Sequence, residues 1–178
     1  MDRLTVSTLV YLPRDAVFDF LVDFPRYARY SEHLTAVEQD GDGGPGTTYR
    51  LHFAWWRLSY TAHSEVTAVE RPERIDWRIV RHLDAEGRWR VEPVDDLPDD
   101  APADAGVASR VAFDVIFDPD SVGADALDLP RFVPLDAALD RVRPAIVEEA
   151  ERIVERVVAD LEGRRREVEL TVHDRTGG

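Results

Sequence analysis

The chain predicts an α+β fold: a curved seven-stranded antiparallel sheet around one long C-terminal helix, with two short helices after the first strand. Three observations predict it. A strand-like segment at 5–11 is followed by the helical stretch PRDAVFDFLVDFPRYARY at 13–30. Six segments of apolar/polar alternation come next. One long amphipathic helix, about 144–161, follows them. A sheet and helix in that order leave an apolar cavity between them.

Each element has a local reason. Val6, Thr8 and Val10 alternate with Thr5, Ser7, Leu9 and Tyr11, as in a strand with one buried face. Pro13 opens a helix, where its missing N–H does no harm. Val17, Phe18, Leu21 and Val22 recur at helical spacing. Phe24-Pro25 interrupts that helix, because the residue before a proline disfavours the helical region. A second short helix is expected to carry Tyr27 and Tyr30.

Residues 33–39 read as the second strand, and DGDGGPG at 40–46 as a turn. Tyr49, Leu51, Phe53 and Trp55 share one parity, as do Leu58, Tyr60, Ala62, Ser64 and Val66. These two runs are expected to pair antiparallel around Trp56-Arg57. Ile75, Trp77 and Ile79 share a parity on the next run. So do Trp89 and Val91, then Val111, Phe113, Val115 and Phe117. The opposite parities are mostly polar, which marks a sheet wetted on one side.

Two stretches break the regularity. DDLPDDAPADAG at 95–106 is acidic and proline-rich and reads as a mobile loop. The segment 118–134 carries three prolines with Leu127, Leu129, Phe132 and Val133, and reads as a lid over the cavity. The last helix either begins at Leu135 and kinks at Pro144, or begins afresh at Pro144. Ile146, Ala150, Ile153, Val157 and Leu161 form its expected apolar face. Glu148, Glu149, Glu151, Arg152, Glu155 and Arg156 form its expected wet face. Gly163 caps the helix, and arginines at 164–166 complement its negative end. The main domain is expected over 1–163. The tail, 164–178, holds Val168, Leu170 and Val172 in alternation and can form an extra short strand.

At 178 residues the chain fits one domain, which buries roughly 70% of its unfolded surface. It has no Cys, so disulfides, thiolate metal sites and a Cys nucleophile are excluded. No apolar run reaches the length of a membrane span or a signal-peptide core, so stable membrane insertion is not expected and a cytoplasmic location is. The net charge is −14, and every one of the 22 basic residues is Arg. Arg-only usage fits either a GC-rich genome or a surface adapted to a high-salt cytoplasm. The charge argues against nucleic acid as a partner.

The segment VFDFLVDFPRYARY at 17–30 resembles the START-like, or SRPBCC, superfamily, whose shared architecture is the helix-grip fold. It is most similar to the polyketide cyclase/dehydrase and coenzyme-Q-binding-like branch. There an acidic residue and a Tyr follow the first helix, and Asp23 and Tyr27 stand in those places. Gly46-Thr47 and Gly87-Arg88-Trp89 also match, and the resemblance spans 4–161. It implies a cavity for a hydrophobic small molecule: a lipid, a quinone or a polyketide-like compound. The inward parity then supplies the candidate ligand-binding residues. From the sheet these are Tyr49, Leu51, Phe53, Tyr60, Trp77, Trp89, Phe113 and Phe117. From the helix they are Ile146, Ile153 and Val157. For each residue the competing reading is packed core.

Chemistry beyond binding has weaker signals. His52 and His63 share the polar parity of paired strands and could flank a metal with Glu65, but surface histidines explain them as well. No phosphate loop, nucleophile elbow or HExxH motif is present. The 40–46 run lacks the spaced ligands of a calcium loop. No cofactor and no metal are expected, and no catalytic residue is assigned. Tyr60, Ser64 or, after a register shift, Arg78 could polarise a carbonyl. Asp23 reads as a turn residue, and Trp55 and Trp56 as a gate or a cap. The function expected is binding of a hydrophobic small molecule. One alternative is a cyclase or dehydratase acting on a polyketide-like or isoprenoid substrate. The other is a protein-interaction module with a vestigial cavity. The sequence sets no oligomeric state.

Overall fold

The computed structural model describes residues 1–55, 57–122, 127, 128 and 132–175, the side chains at 119, 127, 128, 135, 136, 138–140, 142–147 and 174 excepted. The strands are β1 (Asp2–Val10), β2 (Leu34–Asp40), β3 (Thr48–Trp55), β4 (Leu58–Glu70) and β5 (Arg74–Ile79). They continue with β6 (Asp84–Val94), β7 (Ala108–Asp118), β8 (Leu127–Asp128) and β9 (Thr171–Arg175). The helices are α1 (Arg14–Leu21) and α2 (Leu135–Glu162), with 3-10 turns at Phe24–Arg29 and Pro119–Ser121. The sheet runs β2-β3-β4-β5-β6-β7-β1-β9, and β8 pairs β4.

All pairings are antiparallel, and the register sorts the side chains as the alternation requires. Ile75, Trp89, Phe113 and Val6 form one row on the inner face. Asp76, Arg88, Asp114 and Thr5 form the neighbouring row on the outer face. Bulges interrupt β2 between Leu34 and Ala36 and β4 between Val66 and Ala68. The β4 bulge turns Val69 back towards Ile75, so the apolar row continues past it.

α1 buries Val17, Phe18, Phe20 and Leu21. The chain leaves it at Asp23, with φ −90° and ψ 72°, and Pro25 enters the 3-10 turn. Together these short helices cover the core built from Val10, Tyr49, Val66, Ile75, Val91 and Val111. α2 packs Val158 into the same core, with Ile153, Val154, Val157 and Leu161 beside it. Gly163 ends α2 in the left-handed region at φ 77°, its N–H donating to Ala159 O at 3.0 Å.

Five expectations are corrected. Among the described residues the sheet has nine strands rather than seven, because β8 and β9 add short pairings on β4 and β1. β1 is displaced towards the N-terminus, to Asp2–Val10. The tail strand lies at Thr171–Arg175 rather than around 168–172. Of the two expected starts of the last helix, the later one at Pro144 is the one corrected: α2 begins at Leu135 and runs through Pro144, which removes one helical hydrogen bond without ending the helix. Ala150 is exposed and Glu149 is buried. Glu149 is carried inward as a paired charge: Arg156 Nη1 lies 3.5 Å and Arg152 Nη1 3.9 Å from its carboxylate.

Candidate ligand-binding site

The inner face carries two groups of rings. In the first, Phe20 and Phe24 pack on Tyr27 at 5.5 and 5.2 Å between centroids, and Phe24 packs on Tyr49 at 4.5 Å. Tyr27 meets Trp89 edge-on at 6.4 Å. Trp89 packs on Phe113 at 4.6 Å, and Phe113 stacks on Trp77 at 5.6 Å. In the second, His33, Trp55, Phe53 and Tyr60 stack in sequence, with interplanar angles of 18°, 9° and 17°. Alternation alone places Phe53 and Trp55 on one face of β3, and cross-strand pairing places Tyr60 opposite Phe53.

The candidates divide by burial. Tyr49 is fully enclosed, and Leu51 and Trp89 pack against the core. Ile153 and Val157 on α2 do the same from the opposite side. These four are themselves half-buried, as are Phe53, Tyr60, Trp77, Phe113 and Phe117 on the same inner face. The side chain of Ile146 lies outside the described residues, as does Trp56. So do residues 123–126 and 129–131 of the expected lid, while Leu127 pairs with Tyr60 and Asp128 with Ser59.

Three buried polar atoms on the inner-facing side chains have no hydrogen-bond partner among the described residues: Tyr49 Oη, Trp55 Nε1 and Tyr60 Oη. Burial pushes the Tyr60 phenol above its ordinary value. Burial does the same to Tyr49, with the charges of Asp23 and Asp42 adding to it. Both phenols therefore remain protonated donors. Tyr27 donates its hydroxyl to Leu21 O, which ties the 3-10 turn to the end of α1. Tyr30 donates to Asp160, and Arg156 donates to Tyr30 O at 2.8 Å, so α2 is held to that turn.

The outer face is ionic. Arg78 points outward and holds Glu65 with two hydrogen bonds at 3.0 and 2.8 Å. Arg88 binds Asp76 at 2.6 Å, and Arg90 binds Asp114 at 2.7 Å. His52 does not face His63: it is the partner of Thr61, and His63 is the partner of Arg50. The His52 ring contacts Thr61 Oγ1 at 3.0 Å and Glu38 Oε2 at 2.7 Å. Among the described residues no group of three His, Asp or Glu side chains could hold a metal ion. The turn at 41–47 is closed by Gly43 N–H donating to Thr47 Oγ1 at 2.9 Å.

Two features escaped the sequence reading. His33 joins the ring stack through a loop contact that no periodicity marks. Gly87 leaves room for Trp77; the resemblance marked Gly87, and a glycine inside a strand pattern signals a close approach, but neither named the partner. No described helix is long and apolar enough to cross a membrane.

A family model described as polyketide cyclase / dehydrase and lipid transport matches residues 1–162. A START superfamily protein from Mycobacterium smegmatis superposes with a TM-score of 0.57 at 16% identity, covering 90% of this chain and 99% of that one. The structure of Ara h 8.0201 superposes with a TM-score of 0.55 at 16% identity, covering 91% of this chain and 98% of that one. At that identity the two likenesses carry the helix-grip fold alone. No curated protein matches the chain.

Proposed function

The chain belongs to the polyketide cyclase / dehydrase and lipid transport family, and from that premise we propose that it binds a hydrophobic small molecule between the inner sheet face and α2. One observation carries the reading. Phe53, Tyr60, Trp77, Phe113 and Phe117 face inward yet stay half-buried, while Phe18, Phe24 and Tyr49 beside α1 are enclosed. Large rings left partly uncovered on a concave face are the lining that apolar ligand sites use. Trp55 Nε1 and Tyr60 Oη, unpartnered among the described residues, add two donors to that lining. They favour a ligand that carries a hydrogen-bond acceptor, such as a carbonyl.

The test is mass spectrometry of organic extracts of the purified protein, with displacement of an apolar fluorophore. A co-purified apolar molecule, or displacement at micromolar concentration, supports the reading. A protein that binds no apolar probe at that concentration sinks it, and leaves the rings as core of an interaction module.

The same Tyr60 phenol favours a second reading, a cyclase or dehydratase acting on a polyketide-like substrate. A protonated donor in a low-polarity site polarises a carbonyl. Tyr60→Phe separates the two: binding survives in both, and turnover is lost only in the second.

A further inference from the structure

Trp77 and Gly87 are directly paired across β5 and β6, so both present the inner face. A Cβ built on Gly87 would lie 2.2 Å from Trp77 Cζ2, 2.5 Å from Cε2 and 2.7 Å from Cη2. The indole therefore fills the volume that any other side chain at 87 would take.

Its direction follows from that. Strand side chains normally stand away from the sheet. Trp77 instead lies down across β6 and stacks on Phe113 of β7, 5.6 Å away and 17° from parallel. β5 and β7 are two strands apart, which is roughly 10 Å at ordinary strand spacing. The two rings meet because Gly87 leaves the intervening strand bare. Trp89, the next inward residue on β6, packs against the same Phe113. Trp77 and Phe113, both half-buried, form a near-parallel bed on the inner face, with Trp89 tilted 53° from Phe113 beside it.

We infer that Gly87 determines which ligand shape the inner face accepts: by laying Trp77 flat against Phe113 it builds a planar bed that takes a flat conjugated ring system in preference to a flexible acyl chain. The inference rests on the binding reading above. A side chain at 87 would lift the indole off the sheet, tilt the bed and fill the space above it. The near-parallel stack of Phe53, Trp55 and Tyr60 offers a second flat surface on the same face. A flat ligand gains from stacking on both, while a chain loses conformational freedom without that gain.

The experiment uses the full chain with two probes, anthraquinone and hexadecanoic acid, each displacing phenylnaphthylamine. Wild type is expected to bind anthraquinone about tenfold or more tighter than the acid. Gly87→Ala is expected to lose about tenfold for anthraquinone and less for the acid. Gly87→Ala/Trp77→Phe is expected to recover it, since the smaller ring clears the new Cβ. Hexadecanoic acid binding as tightly as anthraquinone would overturn the inference and leave the binding reading standing. So would a folded Gly87→Ala that binds like wild type. If Gly87→Ala does not fold, Trp77→Phe alone is compared with the double variant. Equal anthraquinone binding supports the steric account, and weaker binding by the double variant overturns it. Failure of both probes on wild type removes the binding reading itself.

Discussion

Arg166 holds Glu162 with two hydrogen bonds, Nε to Oε1 at 2.8 Å and Nη2 to Oε2 at 2.9 Å. The same guanidinium lies 4.6 Å from the Tyr11 ring centroid and donates to Leu9 O at 2.9 Å. Glu162 also accepts the Tyr11 N–H at 2.9 Å. One part-buried ion pair thus fastens the end of α2 to the end of β1, which fixes where the helix lies over the sheet.

Glu162→Gln should cost roughly 2–3 kcal/mol at neutral pH, measured by urea unfolding. Burial alone would raise the Glu162 carboxyl, but the Arg166 hydrogen bonds, the Tyr11 N–H and the nearby arginine charges outweigh it and hold it low. A depressed carboxyl contributes stability above its unfolded value, about 4. That contribution fades as pH falls below that value, through the lower folded one. The variant should therefore lose stability less steeply than wild type over that acid range. Parallel acid curves would remove Glu162 from the account.

Tyr49→Ala should be the costlier of two ring deletions, at about 3–5 kcal/mol, because the ring is enclosed and packed on Phe24. Trp77→Ala removes a half-buried ring and should cost roughly 2 kcal/mol. Trp77→Ala and Trp89→Ala should also change the affinity for an apolar probe. Equal destabilisation by Tyr49→Ala and Trp77→Ala, in unfolding experiments, would place Trp77 in packed core.

His52→Ala and His63→Ala lie on the ionic face and should each shift stability by no more than about 0.5 kcal/mol. Apolar-probe affinity should not move. Burial lowers the His63 ring first, with the charges of Arg81, His82 and Arg50 adding to it, so it is held neutral near pH 7 rather than as a cation. A measurable loss of probe binding in either variant would mean that the ligand reaches the outer face.

Salt should stabilise the protein. The −14 charge is self-repelling, and raising salt from about 0.1 M to 1 M shortens the Debye length from about 10 Å to about 3 Å. The exposed ion pairs lose strength under the same screening, but each is worth little. The melting temperature should therefore rise from low to molar potassium chloride. A flat profile would refute the salt-adapted reading of an arginine-only surface.

Much of this architecture is legible in period-two alternation. Tyr49, Leu51 and Phe53 announce one face of β3, and Arg50 and His52 the other, because strand geometry leaves no other sorting. The long apolar stripe of α2 is legible for the same reason at period 3.6. What is not legible depends on distant partners. Glu149 is buried because Arg152 and Arg156 meet it and Tyr30 O anchors Arg156. The contact between Trp77 and Phe113 spans a strand, and no local pattern encodes it. Val69 faces inward only because the bulge after Val66 resets the parity. Within the candidate site, parity identified the ring positions. The half-burial that separates Trp77 from Tyr49 came only from tertiary packing.

β9 lies beyond the span matched by the family, and it changes the status of β1. Its pairing from Arg3↔Arg175 to Ser7↔Thr171 engages backbone groups that would otherwise form an open edge. Open edges recruit strands from other molecules, and short charged ones do so poorly. The described sheet now ends in five residues carrying His173 and Arg175 on one side. On the other it ends in a bulged strand carrying Glu38 and Asp40. The last strand therefore acts as a guard against aggregation, and the longer, more apolar β1 is kept away from its neighbours in solution.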